Sequence, residues 1–211
     1  MIPAFTVRPF ALGRAAFTTL AFACLAGCGQ SSSPTSAPGT PPAPTTFALL
    51  EATVADVQAA FRGEQVGAEG QTLNCVALAE LYLARIDALD NSTDTGLPIS
   101  SIVSLNPLWR EQAEALDATF DTSGPAGPLH CVPVLLKDLY DTFDFPTTAS
   151  SLALAGSQPP DDAFTVARLR EAGALILGKA GMSEYAYWTQ SFNSVSQRIG
   201  TPYNTAMDAG G

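Results

Sequence analysis

Two short apolar segments restrict the fold of this chain more than any other feature. They are residues 132–136 and 174–177, and a stretch with helical periodicity lies between them. Strand, helix and strand in that order normally form a right-handed crossover that leaves the two strands parallel. The sequence therefore predicts an α/β fold around this unit.

Further helices and one more strand are predicted beside this unit. Helices are expected to begin at Thr53, at Thr72 and, within the unit, at Asp161 and Asp162, because these residue types favour helix N-termini. Residues 99–105 are predicted to form a strand. We therefore predict a mixed sheet covered by helices. The residues expected on the inward helix faces recur at steps of three and four: Val54, Val57 and Phe61; Val76, Ala79, Leu83, Ile86 and Asp90; Trp109, Ala113, Leu116 and Phe120; Phe164, Leu169 and Ala172.

The chain has only two lysines, and each comes just after one of the apolar segments: Lys137 after the first and Lys179 after the second. Ligands of open α/β sheets bind beyond the carboxyl ends of the strands, so we expect residues 138–157 and 180–196 to form the walls of a cleft there. Burial of an ammonium favours the neutral amine, which can act as a base. Lys137 is thus the first candidate for catalysis. Alternatively, each lysine reaches water along its apolar stem.

Several separated motifs carry a resemblance to a known family. In order, they are P-L-H-x-V-P-V-L-L-K-D, P-T-T-A-S, R-L-R-x-A-G-A-x-I-L-G-K and M-S-E-Y-A. This part of the chain resembles the amidase signature family of Ser-Ser-Lys hydrolases. The resemblance implies a carboxamide or peptide-like amide substrate, no cofactor, and Lys137 as the base that accepts a proton from a relay serine. Lys179 is expected to make a structural contact at the cleft rim.

The two serines of this relay have no matching motif in the chain. The family carries the relay serine in a Gly-Gly-Ser-Ser-Gly-Gly segment, whereas the last residues here are Ala209, Gly210 and Gly211. We therefore expect the N-terminal part of an amidase, inactive by itself. Alternatives are a catalytically silent binding protein, an interrupted gene, and a subunit like those that supply ammonia to aminoacylated tRNA.

Serines within the chain have other expected roles. Ser150 and Ser151 match a structural loop of the family, and Ser183 is expected to cap a helix beside the cleft. The candidates for the substrate pocket are Met182, Ser183 and Tyr185, with Tyr187 and Trp188 as further aromatic candidates. Core packing is the alternative for Met182 and the aromatic residues. Departures from the family pattern include Leu139 after Lys137-Asp138, Cys131 in place of a glycine, and the segment Thr201-Pro202-Tyr203-Asn204.

The first 28 residues resemble a bacterial lipoprotein signal. Arg8 and Arg14 precede a short apolar stretch, and Leu-Ala-Gly leads to Cys28, the expected lipidation site. Residues 29–46, rich in Ser, Thr and Pro, are expected to be a disordered tether. Residues 47–211 are then expected to form the N-terminal portion of an amidase domain. This organisation predicts a protein anchored by lipid in the cell envelope, most simply at the outer membrane.

The remaining cysteines and the charge narrow the classes of function. In an oxidising compartment Cys75 and Cys131 are expected to form a disulfide, although two free buried thiols are an alternative. With His130 as the single histidine, neither zinc nor a Ser-His-Asp site is expected, and His130 is interpreted as a packing residue. The formal net charge is −10, or −12 without the two arginines of the leader, which disfavours nucleic acid as a partner. Carboxylates at Asp138, Asp141 and Asp144 are expected in a solvated loop.

Overall fold

A three-stranded sheet lies at the centre of the fold. The computed structural model describes residues 42–94 and 96–210. Strand β4 (Pro133–Lys137) is parallel to β5 (Leu175–Ala180), and β3 (Ile102–Leu105) is antiparallel to β5. The strand order is β3-β5-β4, so the predicted mixed sheet is confirmed. The helices and strands, in chain order, are β1 (Thr45–Thr46), α1 (Val54–Phe61), β2 (Gln65–Val66), α2 (Cys75–Leu89), β3 (Ile102–Leu105), α3 (Trp109–Ser123), β4 (Pro133–Lys137), α4 (Phe164–Glu171), β5 (Leu175–Ala180), β6 (Phe192–Asn193), β7 (Gln197–Arg198), β8 (Gly200–Thr201) and β9 (Asn204–Asp208), with 3₁₀ turns at Leu152–Leu154 and Glu184–Ala186.

Helices cover both faces of this sheet. On one face, Leu175 and Leu177 of β5 belong to the same buried cluster as Ala79 of α2. On the other face, Ile176 packs in a cluster with Val166 of α4. Successive side chains of a strand point to opposite faces, which explains this division of β5. Burying one such aliphatic side chain fully contributes ~1.5–3 kcal/mol.

The helix starts follow the expected chemistry, but one begins later than predicted. At α1 the Thr53 hydroxyl accepts a hydrogen bond from the Asp56 N–H (3.2 Å), and the Asp56 carboxylate accepts one from the Thr53 N–H (2.8 Å). Helix α2 begins after Asn74, whose side-chain oxygen accepts from the Ala77 N–H (2.8 Å). The prediction that Thr72 caps this helix was wrong, because a second capping residue lies two positions further on.

The predicted start and inward face of α4 were also wrong in part. Asp161 and Asp162 do not cap the helix; instead an Asp162 carboxylate oxygen lies 3.0 Å from Arg170 Nε in an ion pair. Phe164, predicted to point inward, is 78% exposed, and Val166 is the fully buried residue. Asp162 therefore binds Arg170 and does not cap the helix.

The folded part of the chain begins before the predicted boundary at residue 47. Strand β1 (Thr45–Thr46) pairs in parallel with β2 (Gln65–Val66), and Phe47 is buried. Thr45 and Thr46, assigned to the tether, thus belong to the fold. The predicted leader (residues 1–28, with Cys28) and tether residues 29–41 lie outside the described residues. Among the helices of residues 42–94 and 96–210, none has the length and apolar content that crossing a membrane requires.

A disulfide links a helix to the central sheet. It joins Cys75, the first residue of α2, to Cys131, two residues before β4, and their Cα atoms are 5.2 Å apart. The two cysteines are 56 residues apart in sequence. Linking them lowers the conformational entropy of the unfolded chain, which stabilises the folded state by about 4 kcal/mol. The two sulfurs also lie within 4.8 Å of a His130 ring nitrogen. Metal ions bind thiolates, however, and these sulfurs are bonded to each other.

His130 packs between two phenylalanines beside this disulfide, as its interpretation as a packing residue requires. Its ring stacks on Phe120 and meets Phe61 edge to face, with both pairs of ring centroids 5.2 Å apart. The Ala126 N–H donates to Nδ1 (3.2 Å), so the neutral ring carries its proton on Nε2. Burial lowers the pKa of His130, and the charge of Asp117 opposes this shift.

The single histidine provides a direct test of this packing. The unfolded chain, with an ordinary imidazole pKa of 6.5, takes up the proton first as the pH falls. The free energy of unfolding should therefore decrease as the pH falls below 6.5, and His130→Gln should flatten this dependence. Proton NMR of the one imidazole and urea unfolding between pH 5 and 7.5 measure both effects. An imidazole that titrates at or above 6.5 in the folded protein would contradict the structure.

Lys179 lies inside β5 and is wholly buried, so its predicted place at the cleft rim was wrong. Its ammonium donates to the carbonyl oxygens of Tyr140 (2.9 Å) and Pro146 (3.3 Å) and to the Thr147 hydroxyl (2.6 Å). It also lies 4.8 Å from the centroid of the Phe145 ring. Burial lowers the pKa of Lys179, and the charge of Asp138 opposes this shift most strongly. The side chain thus fastens residues 140–147 to the sheet.

Replacing each lysine by methionine tests whether Lys179 stabilises the fold and Lys137 does not. Lys179→Met keeps the side-chain length but leaves buried acceptors without a donor, which should lower the free energy of unfolding by about 3 kcal/mol. Lys137→Met, at an exposed position, is the matched control and should change it by less than about 0.5 kcal/mol. Urea unfolding of both variants measures the difference. Equal effects would show that the bonds of Lys179 do not hold the loop.

Candidate active site

Lys137 is the last residue of β4 and is exposed at the carboxyl end of the strand. Across the parallel pair, Leu136 stands opposite Lys179, and Lys137 stands opposite Ala180. The two lysines therefore share one edge of the sheet, as predicted, but point to opposite faces. The loss of solvent that first singled out Lys137 is found at Lys179 instead. The assignment of Lys137 as a base thus rests on its motif and position.

A pocket of about 480 Å³ opens beside Lys137. Ala186, Tyr187, Trp188 and Thr189 form the rest of its lining. These four residues lie within residues 180–196, which were predicted to form a wall of the cleft. Two of them, Tyr187 and Trp188, were aromatic candidates for the pocket from the sequence.

The other three pocket candidates, Met182, Ser183 and Tyr185, do not line this pocket. Met182 and Ser183 are buried, and Tyr185 is half-exposed. Ser183 precedes the 3₁₀ turn Glu184–Ala186, but its hydroxyl makes no capping hydrogen bond, so the predicted cap was wrong. Within the described residues this buried hydroxyl has no hydrogen-bond partner. In that part of the chain no hydrogen bond joins it to Lys137.

Asp138 organises the loop behind Lys137. It is wholly buried, and its carboxylate accepts hydrogen bonds from the Thr148 N–H (3.0 Å), the Thr148 hydroxyl (2.5 Å) and the Ser150 N–H (2.7 Å). The expectation of a solvated carboxylate was therefore wrong here. It was also wrong for Asp144, whose side chain is 1% exposed and paired with Arg170. Asp138 thereby connects the residue next to Lys137 with the P-T-T-A-S motif.

The serine of that motif and the serine directly after it hold the loop of the pocket. Ser150 Oγ accepts a hydrogen bond from the Met182 N–H (3.1 Å), and Ser151 Oγ donates one to Glu184 (2.5 Å). The Glu184 carboxylate also accepts from the Ser194 N–H (3.0 Å), and the bond from Ser151 is the main cause of its lowered pKa. Both serines are buried. Their hydroxyls serve structure, in agreement with the loop role implied by the motif.

The backbone turns sharply where these two loops meet. Tyr185 and Ala186 both have left-handed backbone angles, with φ of 57° and 54°. Ala149 and Ser150 have φ of 50° and 53°, and the Tyr185 N–H donates to the Ala149 carbonyl (3.0 Å). Such angles are uncommon outside glycine and persist where surrounding contacts fix them. The result is a shaped loop that presents residues 186–189 toward Lys137.

Comparison with known proteins places the chain in one family. The sequence model of the Amidase family matches residues 77–211. Over 163 residues the chain is 37% identical to a glutamyl-tRNA(Gln) amidotransferase subunit of Thermobifida fusca, a match that covers 77% of this chain and 30% of that protein. It is 41% identical over 148 residues to a probable amidase of Arabidopsis thaliana, covering 68% and 26%. The chain thus spans about 30% of the length of the first of these relatives.

Solved structures support the same assignment. The native peptide amidase of Stenotrophomonas maltophilia matches with a TM-score of 0.66 and 35% identity, over 76% of this chain and 32% of that one. An amidase family protein from Bacillus anthracis matches with a TM-score of 0.63 and 28% identity, over 74% and 30%. The predicted fold, present in part, is confirmed. Sequence and fold agree, and the chain belongs to the amidase family.

Proposed function

We propose that this chain supplies the general base, Lys137, for hydrolysis of a carboxamide C–N bond. Membership of the amidase family supports amide hydrolysis in general. In the proposed relay, neutral Lys137 accepts a proton from a first serine, which takes it from a second, nucleophilic serine. That serine attacks the amide carbonyl, ammonia or an amine leaves, and water hydrolyses the acyl-enzyme. Backbone N–H groups stabilise the oxyanion.

The different surroundings of the two lysines are the observation that carries this proposal. Lys179 directs its N–H groups to Tyr140, Pro146 and Thr147 within the fold. Lys137 is exposed and lines a pocket large enough for a small molecule. Of the two, only Lys137 is positioned to exchange a proton with a group entering from solvent.

The proposal assigns both serines of the relay to sequence outside residues 1–211. Ser150 and Ser151 are buried and bonded within the loop, and the buried Ser183 hydroxyl has no hydrogen-bond partner within the described residues. None of the three shares a hydrogen bond with Lys137 in that part of the chain. The isolated chain should accordingly be inactive.

A small-molecule or peptide-like amide is the proposed substrate. Similarity to the amidotransferase relative favours an alternative in which the chain helps to supply ammonia to aminoacylated tRNA. The formal net charge of −10 disfavours binding of tRNA phosphates, so we rank hydrolysis of a free amide first. A silent binding protein remains the alternative outside catalysis.

We also propose that the protein is anchored in the cell envelope through Cys28. The leader-like residues 1–28 and the Pro-rich tether support this placement. The Cys75–Cys131 disulfide supports it as well, since disulfides persist in oxidising compartments.

Substitution of Lys137 tests the relay in a protein that carries this chain together with the serine segment. Lys137→Ala removes the proton acceptor and should lower kcat by about 10²–10⁴-fold. Lys137→Arg keeps a cation that cannot be deprotonated and should be as inactive. Arg168→Ala, which removes an exposed cation from α4, is the control and should retain activity. Steady-state hydrolysis of simple carboxamides measures all three.

Two results would contradict the assignment. One is near-normal turnover by Lys137→Ala. The other is hydrolysis by the purified 211-residue chain that Ser150→Ala or Ser183→Ala abolishes, which would place the nucleophile inside the chain.

Replacement of Cys28 tests the anchor. If Cys28 is acylated, the expressed protein should incorporate labelled palmitate and partition into detergent, because two or more acyl chains give stable attachment. Cys28→Ala should incorporate no label and lose this processing. A Cys28→Ala protein that is processed and partitions like the original would rule out lipidation at this residue.

A further inference from the structure

Two neighbouring aromatic side chains project from the loop beside Lys137. Tyr187 is 83% exposed and Trp188 is 61% exposed. Their rings stack with centroids 6.2 Å apart and planes inclined by 29°. Both line the pocket of about 480 Å³ that contains Lys137. We call Tyr187 and Trp188 the aromatic shelf.

The backbone beneath the aromatic shelf is held on several sides. The Tyr187 N–H donates to the Glu184 carbonyl (3.1 Å), and the Ala186 N–H donates to the Ser183 carbonyl (2.8 Å). The side chain of Glu184 is itself bonded to Ser151 and Ser194. Large rings on a fixed backbone lose little conformational freedom when a ligand covers them, which favours their use in recognition.

We infer that the aromatic shelf recognises a flat, uncharged apolar group, an aromatic ring above all, in the amide substrate of this site. Aromatic side chains bind rings through apolar contact and offset or edge-to-face stacking. The amide chemistry of this inference rests on the proposed function, whereas binding by the shelf can be measured separately.

The charges around the pocket favour an uncharged group. Lys137 is the one charged residue among the residues that line it. A cationic group would find no carboxylate there. An anionic group would pair with Lys137 and so occupy the residue that the proposed relay uses as its proton acceptor. Thr189 offers a hydroxyl for the polar part of an amide.

Selectivity between matched amides tests the shelf in the full protein. We expect 3-phenylpropanamide to be hydrolysed with a kcat/KM about tenfold or more above that of hexanamide. Trp188→Ala should remove this preference by lowering kcat/KM for 3-phenylpropanamide about tenfold, with less than a threefold change for hexanamide. Trp188→Phe should keep most of the preference. Tyr203→Ala removes an aromatic side chain that is 97% exposed and outside the pocket lining, and should leave the preference unchanged.

Fluorescence separates this inference from the proposed function. The chain has two tryptophans, so Trp109→Phe leaves Trp188 as the single reporter. In that protein with Lys137→Ala added, 3-phenylpropanamide should change the emission of Trp188 saturably, and hexanamide should bind at least tenfold more weakly. Binding without hydrolysis in the parent protein would overturn the proposed function and support the shelf. Hydrolysis with equal effects of Trp188→Ala on both amides, or no fluorescence response, would overturn the shelf.

Discussion

Side chains alternate between the two faces of a strand, and in the parallel pair β4–β5 this alternation separates the two lysines. Leu136 and Lys179 stand opposite each other, as do Lys137 and Ala180. Lys179 is consequently directed into the protein, where it fastens the loop that follows β4, and Lys137 is directed toward solvent. A shift of this register by one residue would place Lys137 opposite Lys179, so that both side chains would lie on the same face. The candidate site therefore depends on how the two strands are paired.

The parts of the fold that could be predicted were those set by local pattern. The apolar segments ending near Lys137 and Lys179, the helix start at Thr53 and the apolar steps of the helices all depend on neighbours in sequence. These features predicted the mixed sheet, its covering helices and the shared edge of the lysines. The amidase motifs identified Lys137 and assigned Ser150 and Ser151 to a structural loop.

The parts that could not be predicted depend on partners distant in sequence. An aspartate in a loop, such as Asp138, is expected to be exposed to solvent. Thr148 and Ser150 supply the hydrogen-bond donors that allow its burial. An aspartate just before a helix, such as Asp162, is expected to cap that helix. Here Asp162 forms an ion pair with Arg170 instead. The sequence likewise could not show that the Ser183 hydroxyl makes no capping bond, since that depends on how the chain turns at Tyr185. For the two aspartates, a tertiary contact decided between two uses of the same residue type.

The location of the disulfide also affects how it can be broken. Cys75 and Cys131 are both wholly buried, and His130, Phe61 and Phe120 pack together beside them. A thiolate must approach a sulfur directly to exchange with it. A reductant therefore reaches this bond only when α2 moves away from the start of β4. The rate of reduction under native conditions consequently reports how often the helix and the sheet separate. The disulfide is thus a built-in probe of local unfolding.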